Sequence, residues 1–125
     1  MNSTFTTILR IILALGLLVF GLNKFIGFMP VPELPEHAGN FMQSLQATGY
    51  VLPLVGAFEV FIGLLLLINK WAPFALLLLA PITVNIVLFH LFLDLPGIGG
   101  ALVVTAINIV LIYKYWKVYR PLFQY

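Results

Sequence analysis

Glu59 stands near the middle of the apolar stretch LPLVGAFEVFIGLLLLINK, residues 52 to 70, where a carboxylate has no water to solvate it. An ionisable group at such a depth costs on the order of 3 kcal/mol or more, so it must turn toward other helices or a wet cavity. Gly56 and Gly63 lie three residues before and four after it and share its face, where small residues let helices approach closely. The candidate partners are cations. Arg10, Ala14, Leu17, Gly21 and Lys24 recur at steps of four and three along one stripe of the first apolar run, with a cation toward each end. By axial rise, Arg10 lies roughly 7 Å below the middle of that run and Lys24 roughly 13 Å above it, so an Arg10–Glu59 ion pair is the expectation. A displacement of one turn would hand the acid to Lys24 instead, or leave Arg10 to reach the headgroups.

The third apolar run carries two polar stripes, one through Pro81, Asn85 and Phe92 and the other through Thr83, His90 and Asp94, about 140° apart. Both cannot face one small spot. Asn85 and, on the fourth run, Asn108 lie near mid-depth, so Glu59, Asn85 and Asn108 are expected to converge, either as polar glue between helices or as the floor of a pocket. Pro81 frees the carbonyl of Leu77 within the membrane and bends the helix bearing Asn85. His90 and Asp94, four residues apart, allow a carboxylate to orient an imidazole. Lys24, His90 and Asp94 all fall in one half of the bundle, the outer half. A ligand site there would be lined by Lys24, Glu59, Asn85, His90 and Asn108, with donors and a proton-carrying group beside an apolar slot, which suits a quinone ring or a lipid headgroup. His37 with Glu33 and Glu36 lacks the ligand spacing of a metal site, and His90 has no second axial ligand for haem, so no metal is expected.

The elements that must position these groups follow from hydropathy. Apolar runs at about residues 5–26, 50–68, 72–93 and 98–116 are each long enough to span a bilayer. Between the first two, Pro30, Pro32 and Pro35 hold the chain extended, and helix resumes only after Pro35. Ala38, Phe41, Met42 and Leu45 then mark one face of a short amphipathic surface helix, about residues 37–48, opposite Asn40, Gln43, Ser44 and Gln46. The expected fold is all-α: an integral membrane four-helix bundle filling residues 1–125 as one transmembrane domain, roofed at one end by that surface helix.

Composition points the same way. Of 125 residues, 62% are hydrophobic and 8% charged, against about 45–50% and 25% in soluble domains, so the chain's solvent is lipid. A net charge of +2 with scattered cations excludes a nucleic-acid partner. Without cysteine the chain holds no disulfide, thiolate or iron–sulfur cluster of its own. The first run has neither a basic leader nor a small-residue cleavage site, so it reads as a retained helix, and the acceptor pattern Asn2-Ser3-Thr4 carries no weight. Lys70, Lys114, Lys117 and Arg120 flank one side, whereas Lys24 is accompanied by Glu33, Glu36 and Asp94 on the other, which places both termini in the cytoplasm. Tyr113, Tyr115, Trp116 and Tyr119 suit an interfacial aromatic belt.

These residues occur in a recognisable order: an early arginine, the FGLNKF ending of the first helix, the proline-bearing loop, LVGAFEVFIGLLLL and the ending VNIVLFH. In that order, over roughly residues 8 to 119, the chain resembles the DoxX family, the likeness resting on Arg10, Gly21, Lys24, Glu59, Gly63 and His90 together. The resemblance implies a small multi-pass protein of the bacterial cytoplasmic (inner) membrane. The family is named for the membrane subunit of an archaeal thiosulfate:quinone oxidoreductase, and some relatives are associated with membrane redox complexes. It assigns no catalytic residue here, and any sulfur chemistry would reside on a partner. The leading expectation is a non-autonomous redox subunit with a pocket for quinone or a similar amphiphile. The alternative is a non-catalytic scaffold or assembly factor whose small-residue stripes and Thr83–His90 face recruit another membrane protein or a second copy. A transporter ranks last, since four helices without an internal repeat give little basis for alternating access.

Overall fold

The computed structural model describes residues 3–27 and 33–124; Asn2, Pro30 and Pro32, whose roles were read from the sequence above, lie outside them. Helix α1 runs Thr4–Ile26. The Ser3 hydroxyl accepts from the Thr6 N–H at 3.1 Å at its start, and Gly27, at φ 70°, closes its end by donating to Asn23 O at 2.8 Å. That left-handed closing position is one glycine takes without a Cβ penalty. There follow α2 (Glu36–Ala47), α3 (Val51–Leu67), α4 (Ala72–Leu93), a 3₁₀ turn at Leu95–Gly97, α5 (Ile98–Lys114) and the short α6 (Trp116–Tyr119). No strand occurs among the described residues.

Helices α1, α4 and the stretch Leu95–Lys114 are long and apolar enough to cross a membrane. Helix α3, with 17 residues, supplies about 26 Å of rod, at the short end of what spans the hydrocarbon. Helix α2 meets α3 at 89° and so turns across the end of the bundle as a roof. It is seated there by Ala38, which is fully buried, and by Phe41, whose ring centroid lies 5.6 Å from that of Phe89 on α4.

Lipid tails are as apolar as leucine, so van der Waals packing and hydrogen bonds between helices must hold the bundle. Its most extensive contact joins α1 to α3, and the next joins α4 to α5. Glycine sets the first: a Cβ on Gly21 would stand 2.9 Å from Gly56 O, one on Gly56 3.0 Å from Gly21 O, and one on Gly63 3.1 Å from Ala14 O. The backbones therefore touch without side chains between them. Leu13, Ile62, Leu66, Leu76, Leu79 and Leu111 fill the centre.

The end of the bundle away from the roof is tied by polar contacts. Arg10, buried, donates from Nη1 to Leu66 O and, at 3.3 Å, to Leu67 O, so it satisfies carbonyls in the last turn of α3. The Tyr119 hydroxyl donates to Pro73 O at 2.5 Å, fastening α6 to the start of α4. The Lys114 ammonium stands 6.0 Å from the Phe5 ring, which brings the end of α5 beside the start of α1. The aromatic belt is only half a belt: Tyr113 and Trp116 are exposed, but Tyr115 and Tyr119 are buried with the core, because α6 folds them back onto the bundle.

Candidate functional site

The buried acid is answered from α1, by Lys24. Its Nζ lies 2.6 Å from Glu59 Oε1, and the Glu59 residue is only 3% exposed. Oε1 stands off the axis of a directed hydrogen bond, so the ammonium holds it by charge. The expected Arg10–Glu59 pair is not formed, and the reason is register. With Gly21 against Gly56 and Ala14 O against Gly63, the antiparallel α1 presents Glu59 with a point near Leu18, about 5 Å past α1's midpoint. Helical side chains also lean toward their own N-terminus. Lys24 and Glu59 therefore lean toward each other, while Arg10 leans away toward the end of α3.

Two clefts meet at this pair. The larger, about 590 Å³, opens between α1, α4 and α5, and its walls include Ile12, Gly16, Leu17, Ala101 and Val104. The smaller, about 290 Å³, lies under the roof and is walled by α2, α3 and α4 through Phe41, Val55, Ile82, Asn85 and Phe89. Lys24, Glu59, Ile86 and His90 line both. One residue from each α4 stripe, Asn85 and His90, reaches the smaller cleft, although the stripes were expected to be too far apart for one site. Ile82, Ile86 and Phe89 form the centre of that face, and Asn85 and His90 stand on its two edges.

His90 and Asp94 form the upper corner. His90 Nδ1 lies 3.4 Å from Asp94 Oδ2 and 3.2 Å from Asp94 O, and Asp94 is buried. Gly97 makes room for them, since a Cβ there would stand 2.6 Å from Asp94 Oδ2 and 3.3 Å from His90 Cε1. The sequence reading missed this role; a glycine three residues past an acid at a helix end was its only signal.

Two expected residues lie elsewhere. Asn108 is buried, lines neither cleft and donates from Nδ2 to Leu76 O at 3.3 Å. It binds α5 to α4 one residue before the carbonyl freed by Pro81, because its face of α5 looks at the lower half of α4. Thr83 is buried with its hydroxyl unpaired, so it cannot offer a face to another protein, and the scaffold reading loses that residue. Asn85 is exposed at the smaller cleft and makes no hydrogen bond among the described residues. Among those residues, no three histidine or acidic side chains gather to hold a metal.

A helical bundle with lipid-length rods, a charge pair sealed between two of them and apolar clefts on either side defines a multi-pass membrane protein with an interior polar site. The DoxX family model matches residues 5–91, and the chain belongs to that family. No curated protein and no solved structure matches it.

Proposed function

We propose that this DoxX protein is a non-autonomous subunit of a membrane redox system, and that its clefts receive a quinone or similar amphiphile. The observation that carries the reading is the placement of Lys24, Glu59 and His90 on the shared wall of two clefts whose other lining is apolar save for Asn85. Pockets for small molecules run to roughly 300–1,000 Å³ with mostly apolar walls and a few placed polar groups, and the residues present fit a tailed quinone on that basis. A bound quinone would supply reversible two-electron, two-proton chemistry. The chain's own part is to bind and orient. Lys24 has N–H groups left to donate after Glu59 is served, the His90 imidazole is held by Asp94, and apolar walls exclude water. Electrons would come from a partner, since the chain has no cysteine and no three histidine or acidic side chains gather among the described residues.

The setting we propose is the bacterial inner membrane. The end bearing Lys70, Lys114, Lys117 and Arg120 would face the cytoplasm with both termini, and the clefts would lie in the outer half. The test is extraction in native lipid followed by chromatography of the organic extract. Quinone is expected to co-purify with wild type and to be depleted in Glu59→Gln of equal helicity. A quinone level no higher than in an unrelated bundle processed alongside would refute it.

A further inference from the structure

The two clefts offer different things to a ligand. The smaller presents the unpaired amide of Asn85 and the rings of Phe41 and Phe89, set 37° apart. Beyond the shared wall the larger presents no polar side chain: its walls are aliphatic side chains, glycine and the single ring of Phe20. One of these glycines is telling. Gly21, Gly56 and Gly63 are required where backbones touch, but a Cβ on Gly16 would meet nothing within 4 Å. Packing gives no reason for glycine there or at Gly100, and both line the larger cleft.

The polar groups of the wall already have partners. Lys24 is held by Glu59 at 2.6 Å and His90 faces Asp94 at 3.4 Å. An anionic headgroup would meet the Glu59 carboxylate in a medium of low dielectric, and a cationic one would meet the ammonium. An uncharged headgroup bearing carbonyls meets neither cost, and it can accept from Lys24 and from the Asn85 amide.

Resting on the amphiphile reading above, we infer that the clefts are two lobes of one site. The roofed lobe takes a flat, uncharged, carbonyl-bearing ring beside Phe41 and Phe89, with Asn85 donating to it, and the larger lobe takes a single hydrocarbon tail. The Lys24–Glu59 pair forms the neck between them. The reverse placement would leave the Asn85 amide against a tail, unpaired in an apolar setting. It would also crowd the tail into the lesser volume.

The experiment uses the full chain in lipid nanodiscs, with binding read by calorimetry against three probes: decylubiquinone, its tailless benzoquinone head, and decanoate. Wild type is expected to bind decylubiquinone tightly, the bare head more weakly, and decanoate at least tenfold more weakly than decylubiquinone. Asn85→Leu is expected to weaken decylubiquinone and the bare head alike, by about tenfold for one lost hydrogen bond. Gly16→Leu, whose side chain enters open space, is expected to weaken decylubiquinone at least tenfold and leave the bare head unchanged. Thermal unfolding confirms that both variants fold. Loss of bare-head binding in Gly16→Leu, or an Asn85→Leu that binds both quinones as wild type does, overturns the lobe assignment. Decanoate binding as tight as decylubiquinone overturns the charge argument. Wild type binding none of the probes removes the amphiphile reading itself.

Discussion

The Lys24–Glu59 pair makes an asymmetric prediction about stability. Lys24→Met strands a carboxylate that is 97% buried and has no directed hydrogen bond at Oε1, which should cost about 3–5 kcal/mol. Glu59→Leu strands an ammonium on a flexible four-carbon stem whose side chain is 24% exposed, two residues before α1 ends at Ile26. That head can move toward the interface, so the cost should fall to about 1–2 kcal/mol. The double variant Lys24→Met/Glu59→Leu removes both charges from an apolar neighbourhood and should return to within about 1 kcal/mol of wild type, a coupling well above the few tenths expected of independent sites. Reversible unfolding in mixed micelles, followed by far-ultraviolet circular dichroism, measures all four proteins. Equal costs for the two single variants would show that depth does not distinguish the partners. A double variant as unstable as the sum would show that the charges do not depend on each other.

Arg10→Leu should destabilise by about 1.5–3 kcal/mol through loss of charged hydrogen bonds to Leu66 O and Leu67 O, with faster hydrogen exchange confined to the last turn of α3 and the turn after it. Gly21→Ala should cost about 1–3 kcal/mol because its Cβ meets Gly56 O at 2.9 Å, whereas Gly16→Ala, with open space, should be neutral within about 0.5 kcal/mol; the same unfolding assay compares them. Tyr119 has its pKa pushed up to about 12, by burial first and by neighbouring Tyr115 second. Its protonated form is therefore favoured by folding: the contribution is complete below pH 10 and is lost as pH rises from 10 through 12. Absorbance titration should show one late phenolate, absent from Tyr119→Phe, and the variant's stability should fall less over that interval.

The rods were legible because hydropathy over a span of lipid thickness is a strong signal, and α2 because its apolar residues keep a helical period in a polar setting. Glu59 belonged on a packed face because Gly56 and Gly63 share its stripe, and the glycine contacts between α1 and α3 occur there. The acid's partner was not legible from depth alone. Counting residues from each helix's midpoint assumes that the midpoints are level, and the contacts at Gly21, Gly56 and Gly63 offset them. The lean of side chains toward each N-terminus was available in the sequence and favours Lys24. Asn108 misled because an amide at mid-depth satisfies a neighbour's backbone as readily as it lines a pocket. Tyr119 misled because an aromatic beside cations looks interfacial until the chain beyond α5 folds back.

How the helices pair explains why the clefts are where they are. Glycine zips α1 to α3, and the short turn at Leu95–Gly97 holds α5 against α4, so the bundle consists of two tight pairs with two seams between them. At the far end the seams are shut by the core packing that includes Leu66, Leu76 and Leu111 and by Lys114 over the Phe5 ring, while Arg10 and Tyr119 tie each pair internally. Toward the roof no comparable lock occurs among the described residues, and each seam widens into a cleft. Lys24 and Glu59 belong to one pair and His90 and Asp94 to the other, so each polar contact closes within its own half. A ligand that bridges the seam can therefore draw the halves together without breaking either pair. Binding should then raise the unfolding temperature even of Arg10→Leu, in which the tie between α1 and α3 at the opposite end has been removed.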